Sequence, residues 1–243
     1  MELGQIIYEG PSVLDGEPIV AVAAYNSRNT KTGPMIQLWI MHAEEAPNVA
    51  AKSGKDASVC GDCSHRHHTG GDCYVVLAHG PLGVWKAYKR GRYLKATEES
   101  LGMFVGKSIR LGAYGDPAAV PFEALHSLVK HARMVTGYTH QIGHANFDSR
   151  VLRYCMVSTE SANATQAHQR HGRRTFRVKA PGEPVLKGEV LCPATTMDHY
   201  QCIRCGICDG AHQKGKSVVV DAHGARSKTK YRDRIPIAEV ANE

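Results

Sequence analysis

Apolar positions near the N-terminus predict a β-hairpin. The runs IVAVAAYN (19–26) and MIQLWIMH (35–42) have the length and composition of strands. The segment between them, SRNTKTGP, contains the Asn, Gly and Pro residues that favour a reversal of the chain. We therefore expect two paired strands joined by this turn.

Strand and helix patterns alternate regularly from Ser108 onward. The predicted order is strand 108–114, helix 120–134, strand 151–158, helix 159–172 and strand 174–178. Thr159 is a candidate cap for the second helix, which Gly172 would close. Repeated strand–helix–strand units favour a parallel sheet with right-handed crossovers. The predicted fold class is α/β: a partial (β/α) barrel-like parallel sheet with an N-terminal hairpin and a C-terminal cysteine-rich metal-binding segment.

Two units follow from this pattern and from the cysteine positions. Residues 1–190 would form an α/β core that contains a first cysteine cluster. Residues 191–243 would contribute a second cluster, a strand and a basic tail. We expect the second unit to pack on the first as one body.

Three polar loops follow predicted strands, where α/β sheets gather their ligands. They are Gly115-Asp116-Pro117, Thr139-His140-Gln141 and Ser158-Thr159-Glu160. If the loops converge, Asp116, His140 and Glu160 are the candidate catalytic residues, and Thr139 is a candidate cofactor contact. The simpler alternatives are an ordinary Asp-Pro turn and a helix cap at Thr159.

Composition and charge indicate the cellular compartment of the protein and its class of binding partner. The chain of 243 residues is 42% hydrophobic, and its N-terminus lacks a basic segment followed by an apolar run. We expect a soluble cytoplasmic protein without membrane contact. The net charge is +7, with basic stretches at 86–95 and 224–234. Nucleic acid is a candidate partner, and a solvated basic face is the alternative.

Seven of the eight cysteines fall into two groups, which in a reducing compartment indicates metal binding rather than a disulfide framework. The downstream group is Cys192, Cys202, Cys205 and Cys208. Four thiolates suit a [4Fe–4S] cluster or tetrahedral zinc. The run C-x2-C-x2-C with a remote Cys-Pro is closer to bacterial iron–sulfur sites than to zinc ribbons, so iron–sulfur is favoured and zinc stays open.

The upstream group has only three cysteines, Cys60, Cys63 and Cys73. A [4Fe–4S] cluster held by three thiolates keeps one iron free for a small molecule, which is how radical chemistry is usually started. Zinc would instead recruit His65, His67 or His68, and these histidines are otherwise ordinary loop residues.

Two further sets of metal-ligating residues carry weaker signals. Cys155 lies within a predicted strand and is expected to be a core thiol. His140 and His144 have four-residue spacing in loop-like sequence and form a weaker candidate metal pair.

The order of motifs resembles a known family. Cys-Tyr at 73–74, then GAYGDPAAVP, TGYTH, Cys-Pro at 192–193, C-x2-C-x2-C and an AHG strand follow one another in the chain. This order, over 21–224, resembles phage- and plasmid-borne cysteine-rich proteins related to the phage family called gene product eighty-eight. The location would then be the host cytoplasm.

The same pattern is distantly similar to radical S-adenosylmethionine enzymes. That resemblance implies a reactive cluster on the upstream cysteines, an auxiliary cluster on the downstream ones, and contact between Gly115-Asp116-Pro117 and S-adenosylmethionine. Those enzymes usually have C-x3-C-x2-C, whereas the spacing here is C-x2-C-x9-C.

Two functions therefore stand at the level of sequence. The first is an iron–sulfur enzyme of radical S-adenosylmethionine-like type with one or two [4Fe–4S] clusters, acting on a substrate that includes nucleic acid among its candidates. The second is a non-enzymatic DNA- or RNA-binding protein with two structural zinc sites, each of which supplies roughly 10–16 kcal/mol to folding. One zinc and one iron–sulfur site is a third combination.

Overall fold

The computed structural model describes residues 3–25 and 29–231. Its strands are β1 (Gly4–Pro11), β2 (Pro18–Ala24), β3 (Ile36–His42), β4 (Leu94–Lys95), β5 (Ser108–Tyr114), β6 (Met134–Thr136), β7 (Tyr138–Thr139), β8 (Met156–Thr159), β9 (Thr175–Lys179), β10 (Glu189–Leu191) and β11 (Ser217–Asp221). Its α-helices are α1 (Pro47–Ser53), α2 (Ala57–Cys60), α3 (Gly80–Lys89), α4 (Glu98–Leu101), α5 (Phe122–Val129), α6 (Ala162–Arg170), α7 (Pro193–Thr196), α8 (Cys202–Cys205) and α9 (Ala225–Lys230). Short 3-10 helices lie between several of these elements.

The first sheet has the strand order β4-β1-β2-β3-β5-β6. β2 pairs antiparallel with both β1 and β3, which confirms the predicted hairpin, and β3, β5 and β6 run parallel. Residues 19–23 of β2 are fully buried because this central strand is covered on both faces. The main hydrophobic core packs this sheet against α5.

The second sheet is entirely parallel, in the order β10-β11-β9-β8-β7. Only Gly137 separates β6 of the first sheet from β7 of the second, so the chain passes there from one sheet to the other. A Cβ at this position would lie 2.7 Å from the Cys155 Sγ, which explains the need for glycine. The α/β class is confirmed, and a barrel-like arrangement is not.

Several predicted boundaries were wrong. The helix expected over 120–134 ends at Val129, and the first half of the strand expected over 151–158 is a 3-10 helix, Ser149–Arg153. Ser161 caps α6 by accepting from the Ala164 N–H at 3.2 Å. The cap expected at Thr159 was therefore wrong, since Thr159 lies in β8.

The C-terminal region is built into the rest of the protein. β11 lies between β9 and β10 inside the second sheet. The Cys202 N–H donates to the Lys31 carbonyl at 3.0 Å, and the Ile203 N–H donates to the Thr32 carbonyl at 3.1 Å, which attaches the downstream cysteines to the hairpin loop. The basic stretch 224–234 contains α9, and its residues 232–234 lie outside the described part of the chain. Within the described ranges, no helix is long and apolar enough to cross a bilayer.

Candidate functional site

The loop after β5 is fixed by close backbone contacts. Gly115 has φ +80°, and a Cβ there would lie 2.5 Å from the Ile40 carbonyl oxygen. Asp116 follows, buried, and its N–H donates to the Val59 carbonyl at 2.6 Å. Its Oδ2 accepts from the His140 N–H at 2.7 Å and its Oδ1 from the Ala118 N–H at 2.9 Å. Asp116 therefore joins the loops after β5 and β7 to the end of α2.

These contacts favour a positioning role for the residues predicted to touch a cofactor. Both carboxylate oxygens of Asp116 accept backbone hydrogen bonds, and burial raises the pKa of this carboxyl although His140 and the backbone donors oppose it. Pro117 and Thr139 are buried, and the Thr139 Oγ1 accepts from the Gln141 N–H at 3.1 Å.

Two of the predicted catalytic side chains meet a third group that comes from the first cysteine loop. The His140 Nε2 lies 3.2 Å from the Glu160 Oε1, and the His65 Nε2 lies 3.8 Å from the same oxygen. One ligand atom from each residue lies within 4.8 Å of the other two. We call His65, His140 and Glu160 the His–Glu triad.

The contacts within the triad shift the pKa values of His140 and Glu160. Burial lowers the pKa of His140, but hydrogen bonds to Cys63 and Glu160 outweigh it and raise the pKa to about 10. Burial raises the pKa of Glu160, and the His140 hydrogen bond outweighs this and lowers it. A protonated His140 beside a carboxylate is therefore the favoured state at neutral pH.

The upstream cysteine loop is held by a glycine and an arginine. α2 ends at Gly61, where φ is +54° and a Cβ would lie 2.0 Å from the Gln141 Oε1. The Gln141 Nε2 donates to the Cys60 carbonyl at 2.9 Å. Arg66 donates to the Asp56 carboxylate at 2.6 Å and to the Gly61 carbonyl at 2.8 Å.

Cys60, Cys63 and Cys73 lie together, and we call them the three-thiol group. Burial raises the pKa of Cys60 well above its usual value, and Cys63 and Cys73 raise it further. Burial also raises the pKa of Cys73 to about 11. The side chain of Cys63 hydrogen-bonds His140, so the group directly adjoins the His–Glu triad.

Cys192, Cys202, Cys205 and Cys208 also lie together, and we call them the four-thiol group. Burial raises the pKa of Cys208 to about 12, with a contribution from the other three thiols. Tyr138 hydrogen-bonds Cys208 and opposes this rise. Arg174 holds the loop that follows by donating to the Ile207 carbonyl and to the Asp209 carboxylate, each at 2.5 Å.

Arg110 lies between the two thiol groups. Its Nη2 donates to the Tyr74 hydroxyl at 2.7 Å, next to Cys73 in the chain. Burial lowers the pKa of Arg110, but Tyr74, Tyr138 and Cys202 outweigh it and raise the pKa. A cation is therefore fixed beside the four-thiol group and connected through Tyr74 to the three-thiol group.

The ligand atoms of the triad lie closer together than the sulfurs of either thiol group. Among the described residues, the triad is the one set of three metal-ligating side chains whose atoms lie within 4.8 Å of one another, and no three sulfurs reach that limit. All eight cysteines are free thiols. Cys155 is fully buried in the main core, which confirms the prediction of a core thiol.

The other histidines singled out by the sequence bind the backbone. The His67 ring lies 3.2 Å from the Cys73 carbonyl, and the His68 ring lies 3.1 Å from the Lys52 carbonyl. The His144 Nδ1 accepts from the Asn146 N–H at 3.2 Å, and His144 is not part of the triad.

A groove of about 550 Å³ opens beside Cys73. Its apolar wall is the exposed segment 74–78, in which Tyr74 is 47% and Val76 57% exposed. Lys52 and Arg226 also line the groove, and no acidic side chain does. The groove suits a partly apolar ligand that carries negative charge.

Sequence reasoning missed the residues that hold these groups in place. Asp72, Arg66 and Arg174 make the decisive contacts, and none belongs to a recognisable motif. The one available signal was the position of Arg66 and Asp72 between the cysteines of the upstream loop. Comparison with protein-family models, with curated proteins and with solved structures found no match to the chain. The resemblances drawn from the motif order therefore stay predictions.

Proposed function

We propose that the protein is an iron–sulfur enzyme of the kind carried by phages and plasmids, acting in the cytoplasm, where thiols stay reduced. The three-thiol group would hold a [4Fe–4S] cluster with one iron free, and the four-thiol group an auxiliary cluster. The observation that carries this proposal is the His140–Glu160 pair at the strand ends, whose Nε2 and Oε1 lie 3.2 Å apart, next to an incomplete set of thiols.

The spacing of the cysteines along the chain favours iron–sulfur over zinc. The downstream cysteines follow C-x2-C-x2-C with a remote Cys-Pro, as in bacterial iron–sulfur sites. Zinc ribbons usually pair one C-x2-C with another.

Burial of the thiols supports the same proposal. The pKa of Cys60, Cys73 and Cys208 is raised chiefly by burial, so these thiols are protonated at neutral pH without a cation. A bound metal removes the proton and offsets the repulsion among neighbouring thiolates. Deprotonating these buried thiols costs free energy, and binding of a cluster would offset that cost.

The chain's own residues supply the remaining chemistry. A free iron of the bound cluster would coordinate a small cofactor, with S-adenosylmethionine as the candidate. Glu160 holds the His140 ring beside the three-thiol group, with 3.2 Å between the His140 Nε2 and the Glu160 Oε1. The groove beside Cys73 admits the substrate.

Anaerobic purification with analysis of iron, sulfide and zinc tests the proposal. We expect brown protein with about eight iron atoms per chain, which two [4Fe–4S] clusters would contain. Cys60→Ser and Cys205→Ser should each remove about half of the iron. Cys155→Ala changes a buried thiol outside both groups and should keep all of it. Colourless protein with stoichiometric zinc would overturn the proposal.

A second candidate function is nucleic-acid binding, because one face carries exposed basic residues. These are Lys86, Lys89, Arg90, Arg92 and Lys95, on α3 and just after it. Within residues 3–25 and 29–231, Lys95 alone among these five forms an ion pair, with Glu9 at 2.9 Å. Nucleic acid could be the substrate of the enzyme or the target of a non-enzymatic protein.

Fluorescence anisotropy with labelled single- and double-stranded DNA and RNA tests this candidate. We expect binding that weakens steeply with salt and is lost in the variant Lys86→Glu, Lys89→Glu, Arg90→Glu. Reversal of Lys187, Lys214 and Lys216, three exposed lysines next to strands of the second sheet, is the matched control. Equal affinity in both variants would exclude this face.

A further inference from the structure

The His–Glu triad has the composition of a metal site outside both thiol groups. Two imidazoles and one carboxylate are the ligand set of many mononuclear sites for Fe²⁺ and Zn²⁺. The Nε2 atoms of His140 and His65 lie 3.2 Å and 3.8 Å from the Glu160 Oε1, and one ligand atom from each residue lies within 4.8 Å of the other two. Small movements of these side chains would bring all three to one ion.

His65 is oriented for this purpose by a buried carboxylate. Its Nδ1 lies 2.6 Å from the Asp72 Oδ1. Asp72 is 5% exposed and is itself held by the Ser227 Oγ at 3.4 Å and the Lys230 Nζ at 3.4 Å. Because a carboxylate only accepts hydrogen bonds, the proton lies on Nδ1 and the Nε2 is free to bind a cation.

The Nε2 of His65 is buried and makes no hydrogen bond to any part of the chain that the structure describes. It faces the Glu160 carboxylate, whose oxygen, like this nitrogen, has a lone pair that can bind a cation. Carboxylate–histidine–metal arrangements of this kind fix the ring and increase its basicity. The contact between Asp72 and His65 is what such a site requires.

We propose that His65 Nε2, His140 Nε2 and Glu160 Oε1 form a mononuclear site for a divalent first-row transition metal. The site lies beside the three-thiol group and is separate from it. Three protein ligands leave positions open for water or for an anionic group of a substrate. The inference goes beyond the proposed iron–sulfur function and does not depend on it, because the triad contains no cysteine. A bound cation would take the place of the proton on His140.

Titration with Mn²⁺ tests the site on protein purified without oxygen, with whatever its cysteines hold. Mn²⁺ is the probe because it prefers nitrogen and oxygen ligands to thiolates. Loss of the electron paramagnetic resonance signal of free Mn²⁺ measures binding. We expect one ion per chain, a loss of affinity of about 10–100-fold in Asp72→Asn, and a larger loss in His65→Gln and Glu160→Ala.

Controls separate this inference from the iron–sulfur proposal. His144→Gln removes a nearby histidine outside the triad and should bind Mn²⁺ as the wild type does. His65→Gln and Glu160→Ala should keep the wild-type iron and sulfide content and circular dichroism. If Mn²⁺ fails to bind, or binds equally to all variants, the site does not exist, whatever the iron content. If His65→Gln loses iron together with Mn²⁺, His65 belongs to the three-thiol centre and the separate site is overturned.

Discussion

The two thiol groups are built alike but differ in what faces them. Each lies in a loop held by one arginine, Arg66 for the three-thiol group and Arg174 for the four-thiol group. The three-thiol group adjoins His140 and, through it, Glu160. The four-thiol group adjoins Tyr138 and the cation of Arg110.

If the two groups hold clusters as proposed, this difference favours a division of labour between them. An incomplete set of thiols next to groups that exchange protons is suited to chemistry. A complete set next to a fixed cation and a phenol is suited to electron storage or to structure, because positive charge and hydrogen bonds to sulfur stabilise a reduced cluster. Substitutions in the two loops test this difference.

The largest effect is expected from the arginine of the three-thiol loop. Arg66→Met leaves Asp56, which is 4% exposed, without its partner, and we expect a loss of about 3–5 kcal/mol in the free energy of unfolding. Urea denaturation measures it, and iron analysis should show selective loss from the three-thiol group. Arg90→Met, at an exposed arginine, is the control. A stable variant with full iron would show that the loop does not depend on Arg66.

The second-largest loss of stability is expected from Gly61, in the same loop. Gly61→Ala places a Cβ against Gln141 at a positive φ, so strain and overpacking together should cost about 2–4 kcal/mol. Gly83→Ala in α3 has open space around the new Cβ and should be neutral or stabilising. Thermal unfolding compares the two. Equal behaviour would mean that Gln141 moves aside at little cost.

The arginine of the four-thiol loop should matter less than Arg66. Its carboxylate partner, Asp209, is 44% exposed, so Arg174→Met leaves no buried charge unpaired. We expect a loss of about 1–3 kcal/mol, from carbonyl groups that lose a donor. The comparison is made by urea denaturation under the same conditions as for Arg66→Met. A larger loss than in Arg66→Met would reverse the ranking of the two loops.

The smallest effect on stability is expected at the phenol beside the four-thiol group. Tyr138→Phe removes the hydrogen bond to Cys208 and should cost about 1 kcal/mol. Its main consequence should be a lower reduction potential of the auxiliary cluster, followed by a redox titration with paramagnetic resonance. Tyr74→Phe, whose hydroxyl accepts from Arg110, is the matched variant. An unchanged potential in Tyr138→Phe would place Cys208 outside a cluster.

Local patterns predicted part of the fold well. The hairpin and β5 were found because their apolar runs are buried on both faces and leave a continuous signal. The strand expected from 151 failed because Asp148 caps a 3-10 helix that the apolar pattern does not distinguish. The cap expected at Thr159 failed because that side chain bonds Thr165 instead, at 2.7 Å between their Oγ1 atoms.

For this protein, the sequence by itself predicted the two cysteine groups, because two-residue gaps bring Cys60 and Cys63, and likewise Cys202, Cys205 and Cys208, together through local turns. It also indicated that the strand-end loops carry the polar residues. The tertiary structure was needed to show that Cys63 lies beside His140 and that Arg110 stands between the thiol groups. Those contacts join residues far apart in the chain, and they depend on how the two sheets are joined at Gly137, which no local pattern specifies. The contact of Asp72 with His65 spans seven residues, but it depends on the fold of the upstream cysteine loop, which no motif predicts.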